Sequence, residues 1–133
     1  TANKVLIDDY AHHPEELSAL ISGVKSIFPN QKMVLVFQPH LYSRTQDQSA
    51  GFSATLDQAD EVILLPIYPA RELPIPGVTS DMLLSAMTIE KKQVMSKEQL
   101  MAWAATTEDK LIVMAGAGDI DVCINQVKDI LTN

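Results

Sequence analysis

The sequence predicts an α/β fold: a three-layer, mostly parallel open sheet of about five to six strands with helices on both faces. It is Rossmann-like but lacks the dinucleotide fingerprint. Two observations predict it. Short apolar runs of strand length alternate five times with amphipathic stretches, and no internal repeat or low-complexity tract interrupts them. The strand-like runs are also continuous rather than alternating in polarity, as strands covered on both faces must be. At 133 residues and 47% hydrophobic, the chain carries enough apolar mass for one core, so residues 1–133 form a single domain.

Each element has its own reason. Residues 5–7 read as a two-face-buried strand that breaks into the polar elbow Asp8-Asp9-Tyr10-Ala11-His12-His13. Pro14 suits a first helical turn, where its missing N–H costs nothing, and Glu15 and Glu16 then sit at the positive end of the helix dipole. Leu17, Leu20, Ile21, Val24, Ile27 and Phe28 recur at helical spacing until Pro29-Asn30. Met33–Phe37 is the second strand, and Pro39 forbids its continuation. A helix is expected over about 44–56 and a third strand over 62–65. Residues 69–78 hold three prolines and a glycine, which makes a stiff loop. Thr79 or Ser80 caps a short helix, residues 93–95 are a fourth strand, and Ser96 with Gln99 has capping-box form. Leu111–Ala115 is the last strand. Gly116-Ala117-Gly118-Asp119 turns into a helix carrying Ile120, Cys123, Ile124, Val127, Ile130 and Leu131.

The net charge of −7 argues against nucleic acid or an anionic membrane as a partner, although local positive charge can still bind an anion. The one cysteine, Cys123, falls in an apolar helical pattern, which predicts packing and a reducing, cytoplasmic setting. No apolar run of about 18 residues occurs and no basic segment precedes an apolar one, so neither a membrane span nor a signal peptide is expected. The prompt entry into the first strand suits a complete small protein, and it suits a domain cut from a longer polypeptide.

Chemistry concentrates in the first half of the chain. His12 and His13 follow the first strand, His40 and Arg44 the second, and Arg71 the third; no other histidine or arginine occurs. In a parallel sheet the carboxyl ends of the strands share one edge, where ligands bind, so these residues converge. Bland readings exist for some of them. His13 beside Pro14 can cap the helix, a turn can hold Asp8 or Asp9, and Arg71 can pin the proline-rich loop to an acidic neighbour. His40 and Arg44 resist such a reading, because both flank a helix start where positive charge opposes the dipole. A bound carboxylate or phosphate removes that conflict. Asp121 stands where a dinucleotide turn needs its third glycine, so Gly116 and Gly118 indicate close strand–helix packing. There is no Walker A loop and no nucleophile elbow. A zinc site from His12, His13, His40 and Asp9 ranks below anion binding, and no metal is assigned to this chain.

Four collinear motifs carry a resemblance that runs over essentially the whole chain. They are Asp8-Asp9-Tyr10-Ala11-His12-His13-Pro14, then Gln38-Pro39-His40-Leu41-Tyr42-Ser43-Arg44-Thr45, then Tyr68-Pro69-Ala70-Arg71 with Pro74-Ile75-Pro76-Gly77, and Gly116-Ala117-Gly118-Asp119-Ile120. In this the chain resembles the C-terminal domain of the Mur ligases, in the branch that adds L-alanine to UDP-N-acetylmuramate in peptidoglycan synthesis. The resemblance implies ATP-dependent amide formation through an acyl phosphate. It places the phosphate loop and most magnesium ligands in a central domain and the UDP-sugar grip in an N-terminal domain, both outside this chain. ATP and Mg2+ are the implied cofactors. L-alanine, UDP-N-acetylmuramate and the chain's own other domains are the implied partners, and the isolated domain is expected to be inactive. By position, Asp9 resembles the acid that bonds the nucleotide ribose, and Tyr10 lies beside the adenosine. His12, His40 and Arg44 match residues around the incoming alanine and the reacting phosphate, the two histidines in catalytic and binding roles and Arg44 in binding. Many members have basic residues where this chain has Leu41 and Gln46, which leaves Arg44 carrying more of the anion's charge. A tripeptide-recycling ligase shares the first motif but not the second. A free-standing nucleotide- or anion-binding module is the reading from another class.

Overall fold

A computed structural model describes residues 4–132. In chain order the elements are β1 (Val5–Asp9), α1 (Pro14–Ile27), β2 (Met33–Phe37), α2 (Tyr42–Asp47), α3 (Ser49–Leu56), β3 (Glu61–Leu64), α4 (Ser80–Ala86), β4 (Lys92–Val94), α5 (Lys97–Thr106), β5 (Leu111–Ala115) and α6 (Ile120–Thr132). The five strands form one sheet in the order β1-β5-β2-β3-β4, with every neighbouring pair parallel.

Strand pleating sends alternate side chains to opposite faces. Met33, Leu35 and Phe37 of β2, with Leu111, Val113 and Ala115 of β5, pack on one face beneath α1, α3 and α4. Val34, Val36, Ile112 and Met114 pack on the other beneath α5 and α6. Every residue of β2 and β5 is buried, which explains why these runs show no polar alternation.

Some details differ from the sequence expectation. β1 is an edge strand, so Val5, Leu6 and Ile7 are half-buried rather than enclosed, and the strand extends through the exposed Asp8 and Asp9. The helix expected over about 44–56 is two helices, broken at Gln48, whose φ −116° and ψ 22° interrupt the helical run. The fourth strand lies one residue earlier than expected, at the other edge of the sheet.

Register decides where the loops emerge. Asp9 and Phe37 both pair with Ala115, and Phe37 pairs with Leu64, so four strands end at one level. At the opposite edge Lys32 donates to Glu61 at 2.7 Å and Asp109 at 3.0 Å, a purely structural clasp. No helix among the described residues is long and apolar enough to cross a membrane.

Candidate functional site at the carboxyl edge of the sheet

Because β5 inserts between β1 and β2, the loops at this edge lie in the order β1, β5, β2, β3. The β5 turn is nearly free of side chains. Gly116 has φ +145°, and a Cβ there would lie 3.0 Å from the Gln38 carbonyl oxygen. A Cβ on Gly118 would come within 2.6 Å of the Tyr68 Cβ and Cγ. The two glycines thus let the β2 and β3 loops settle directly onto the turn.

Gln38 is buried beneath that turn, at 3% exposure. Its Nε2 donates to Asp119 Oδ1 at 2.7 Å and Pro66 O at 3.3 Å, and its Oε1 accepts from Ile120 N at 2.9 Å. Asp119 also pairs with Lys97 of α5. Burial opposes the Asp119 charge, but hydrogen bonds from Lys97 and Gln38 outweigh it and hold the carboxyl below its usual value. The same hydrogen bond to Asp119 raises Lys97, against the effect of burial.

The β1 elbow is held by its own backbone. Asp9 Oδ1 accepts from Ala11 N at 2.8 Å, and Glu16 Oε1 accepts from the amides of His12 and His13, each at 3.1 Å. The His12 amide bond is the main cause of a lowered Glu16 pKa, which burial opposes. His13 is the N-cap residue by backbone conformation, in the position its bland reading assigned, and the carboxylate reaching back is Glu16. His12 Nδ1 lies 2.8 Å from Tyr10 O. A carbonyl only accepts, so Nδ1 carries hydrogen, and a neutral His12 presents Nε2 as a bare acceptor.

His40 has the opposite arrangement. Arg44 Nη1 lies 3.0 Å from His40 Nδ1, and a guanidinium can only donate. Nδ1 is therefore the acceptor, and the ring is neutral with hydrogen on Nε2. Burial first, then the Arg44 charge, lowers the His40 pKa from its ordinary value, which favours this form. Tyr68 stacks on His40 with centroids 5.6 Å apart and planes 11° apart. His12 and His40 meet edge to face at 6.1 Å. Two imidazoles of complementary tautomer and one guanidinium thus share a rim, although they come from two different strands.

The other residues named from sequence fall as follows. Tyr10, 64% exposed, touches His12 edge to face at 5.4 Å. Asp9 and Tyr10 line a hollow of ≈ 200 Å³ with Asp8, Asp121 and Ile124, beside the imidazole cluster rather than within it. Arg71 does not pin the proline-rich loop: it is exposed, and its guanidinium has no partner among the described residues. Glu72 pins it instead, accepting from Ser43 N at 3.0 Å and from Ser43 Oγ. The start of α2 therefore already has an anion, supplied by the chain, where the sequence pointed to a bound one. Glu72, Lys97 and the bridging role of Gln38 had no signal in the sequence beyond their places in or beside the motifs, since each acts on a partner distant in the chain.

His12, His13 and Glu16 each offer a metal-ligand atom within 4.8 Å of the others. The group shares only His12 and His13 with the zinc set considered from sequence. It also lies at the positive end of α1, where a cation is disfavoured, and Glu16 Oε1 is already engaged by two amides.

Gly118→Ala is expected to destabilise the chain by about 1–3 kcal/mol, because Tyr68 must move. Gly23→Ala in α1, where a Cβ meets nothing within 4 Å, is expected to do the reverse, by about 0.5–1 kcal/mol. Urea denaturation of both variants checks the opposed signs, and equal effects would contradict the packing described. Because Glu16 is lowered on folding, its contribution is complete above its ordinary value of 4.5 and is lost as pH falls through the lowered one. Melting temperatures from about pH 6 to about pH 3 should thus fall less steeply in Glu16→Gln than in the parent.

Residues 1–118 match the family described as Mur ligase, glutamate ligase domain. The UDP-N-acetylmuramate–L-alanine ligase of Cytophaga hutchinsonii is 50% identical over 93% of this chain, which covers 27% of that relative. The corresponding ligase of Flavobacterium johnsoniae is 47% identical over 96% of the chain and 28% of the relative. The chain thus spans just over a quarter of the length of these relatives. Among solved structures, the UDP-N-acetylmuramate-alanine ligase of Thermotoga maritima superposes with a TM-score of 0.72 at 26% identity, covering 93% of this chain and 26% of that one. A murein peptide ligase from Psychrobacter arcticus gives 0.75 at 19% identity over 98% and 28% of the two chains, a likeness of fold. The family match over most of the chain, on a parallel sheet with the motifs gathered at its carboxyl edge, establishes that this chain belongs to the Mur ligase family as its glutamate ligase domain.

Proposed function

We propose that the chain is the C-terminal domain of a cytoplasmic, ATP-dependent ligase that joins L-alanine to UDP-N-acetylmuramate in peptidoglycan synthesis. The supporting observation is the rim itself, where Arg44 and His40 lie in hydrogen-bond contact with His12 beside them. The names of the similar relatives point to the same reaction.

In this reading the planar fork of Arg44 takes the alanine carboxylate. His40, neutral and anchored through Nδ1, offers its Nε2–H to the same anion or to a phosphate oxygen. His12, with Nδ1 tied to Tyr10, keeps Nε2 free to accept a proton as the amine attacks the acyl carbon. Holding the amine against the acyl phosphate is chiefly a proximity effect.

The nucleoside end of ATP fits this chain. Asp9 offers a carboxylate to ribose hydroxyls, and the exposed Tyr10 ring offers a face to the base. The phosphates do not fit, because Asp8, Asp9 and Asp121 line that hollow without a basic partner. Magnesium prefers a shell of oxygens, and the three-donor group among the described residues is rich in nitrogen. The phosphate loop, the magnesium and the UDP-sugar grip belong in this reading to central and N-terminal domains of a longer protein, as the family resemblance implies. Bound ATP supplies the phosphoryl group that activates the muramate carboxylate.

In the full-length ligase, Arg44→Ala is expected to raise the KM for alanine by about tenfold or more while leaving that for ATP nearly unchanged. An unaltered alanine KM in steady-state assays removes Arg44 from the amino-acid site. The 133-residue chain by itself is expected neither to hydrolyse ATP nor to form an amide; turnover by the purified chain contradicts the division of labour proposed.

A further inference from the structure

Among the described residues, only two that are not glycine have positive φ: Leu41 at 72° and Ala70 at 52°. Such angles are costly for residues with a Cβ, and they persist only where surrounding contacts over-determine them. Leu41 is the elbow between His40 and α2, and Ala70 lies in the turn that Glu72 N closes onto Pro69 O at 2.9 Å. The two strained segments are bound to each other. Leu41 N donates to Tyr68 O at 2.8 Å, Tyr68 N donates to Pro39 O at 2.9 Å, and the Tyr68 ring lies on His40. The one side-chain tie between them that carries a charge is Glu72, whose two oxygens hold the amide and hydroxyl of Ser43, next to Arg44.

We propose that Glu72 is a positioning residue: its grip on Ser43 keeps the strained elbows at Leu41 and Ala70 in the conformation that brings Arg44 against His40. Its role in amino-acid binding rests on the ligase reading; the clamp itself does not. Charge-assisted bonds of this kind suit the task, since they are short and directional. The Ser43 hydroxyl, then its amide, lowers the Glu72 pKa, so the carboxylate stays ionised and acceptor-only near neutrality. Ser43 sits at the second residue of α2, where a carboxylate also complements the dipole.

In the full-length ligase, Glu72→Ala is expected to raise the KM for alanine by about 10- to 100-fold, with the KM for ATP within about twofold of the parent. Glu72→Gln, which retains an acceptor for the Ser43 amide, should fall between the two. Introducing Leu41→Gly and Ala70→Gly together removes the backbone strain, so Glu72→Ala should cost several-fold less in that background. An alanine KM within about twofold of the parent in Glu72→Ala overturns the proposal, and so does an undiminished effect in the glycine background. Imidazole nitrogen spectra of the 133-residue chain separate the clamp from the reaction. His40 in the parent should show an unprotonated Nδ1, and Glu72→Ala or Glu72→Gln should show mixed tautomers. An unchanged His40 spectrum in both variants overturns the clamp. A changed spectrum, with a full-length parent that adds no alanine, upholds the clamp and rejects the ligase reading.

Discussion

The carboxyl edge depends on one buried amide. Gln38 directly follows the central strand β2, and its side chain reaches both neighbours: the β5 turn through Asp119 and Ile120, and the exit of β3 through Pro66. A primary amide suits this place because it donates and accepts from one rigid plane, and here both ends are satisfied. No buried side-chain polar atom among the described residues lacks a partner. In a low-dielectric setting such a network is directional and costly to leave half-made, so it holds three chain segments in one relation. His40 leaves the sheet just beyond this anchored residue, while His12 and His13 are held by the β1 elbow's own bonds.

Electrostatics at the rim run against the protein as a whole. The net charge is −7, yet the guanidinium and imidazoles gather where strands end, and several nearby carboxylates are engaged by the chain itself. Glu16 serves the first turn of α1, Glu72 serves α2, and Asp119 serves Gln38 and Lys97. In the proposed reading, what remains for an incoming anion is a small patch with donors on Arg44 and on His40 Nε2. The acidic hollow at Asp9 lies to one side, so an anion and a polyhydroxylated group would meet separate surfaces.

Much of the architecture was legible in the sequence because the parallel sheet writes itself in continuous apolar runs. The runs 33–37 and 111–115 matched their strands residue for residue. The convergence of His12, His40 and Arg44 was legible too, since topology alone brings strand ends together. Less was legible where the decision lay in tertiary contact. Val5, Leu6 and Ile7 have an interior composition, and only strand order reveals that they border the sheet. The break at Gln48 follows no proline or glycine. The carboxylate at the start of α2 belongs to Glu72, 29 positions beyond Ser43, and periodicity carries no trace of such a pair. Arg71 attracted notice as a rare cation, while its neighbour does the fastening.

Cys123 is closed off between α6 and the sheet, and its thiol is pushed above the ordinary value, chiefly by burial. As the sole sulfhydryl in the sequence, it gives alkylating reagents almost no thiolate to attack. A cysteine introduced at an open surface position would accordingly be the dominant handle for a maleimide dye. Within these 133 residues, a dye attached in this way meets no competing surface thiol.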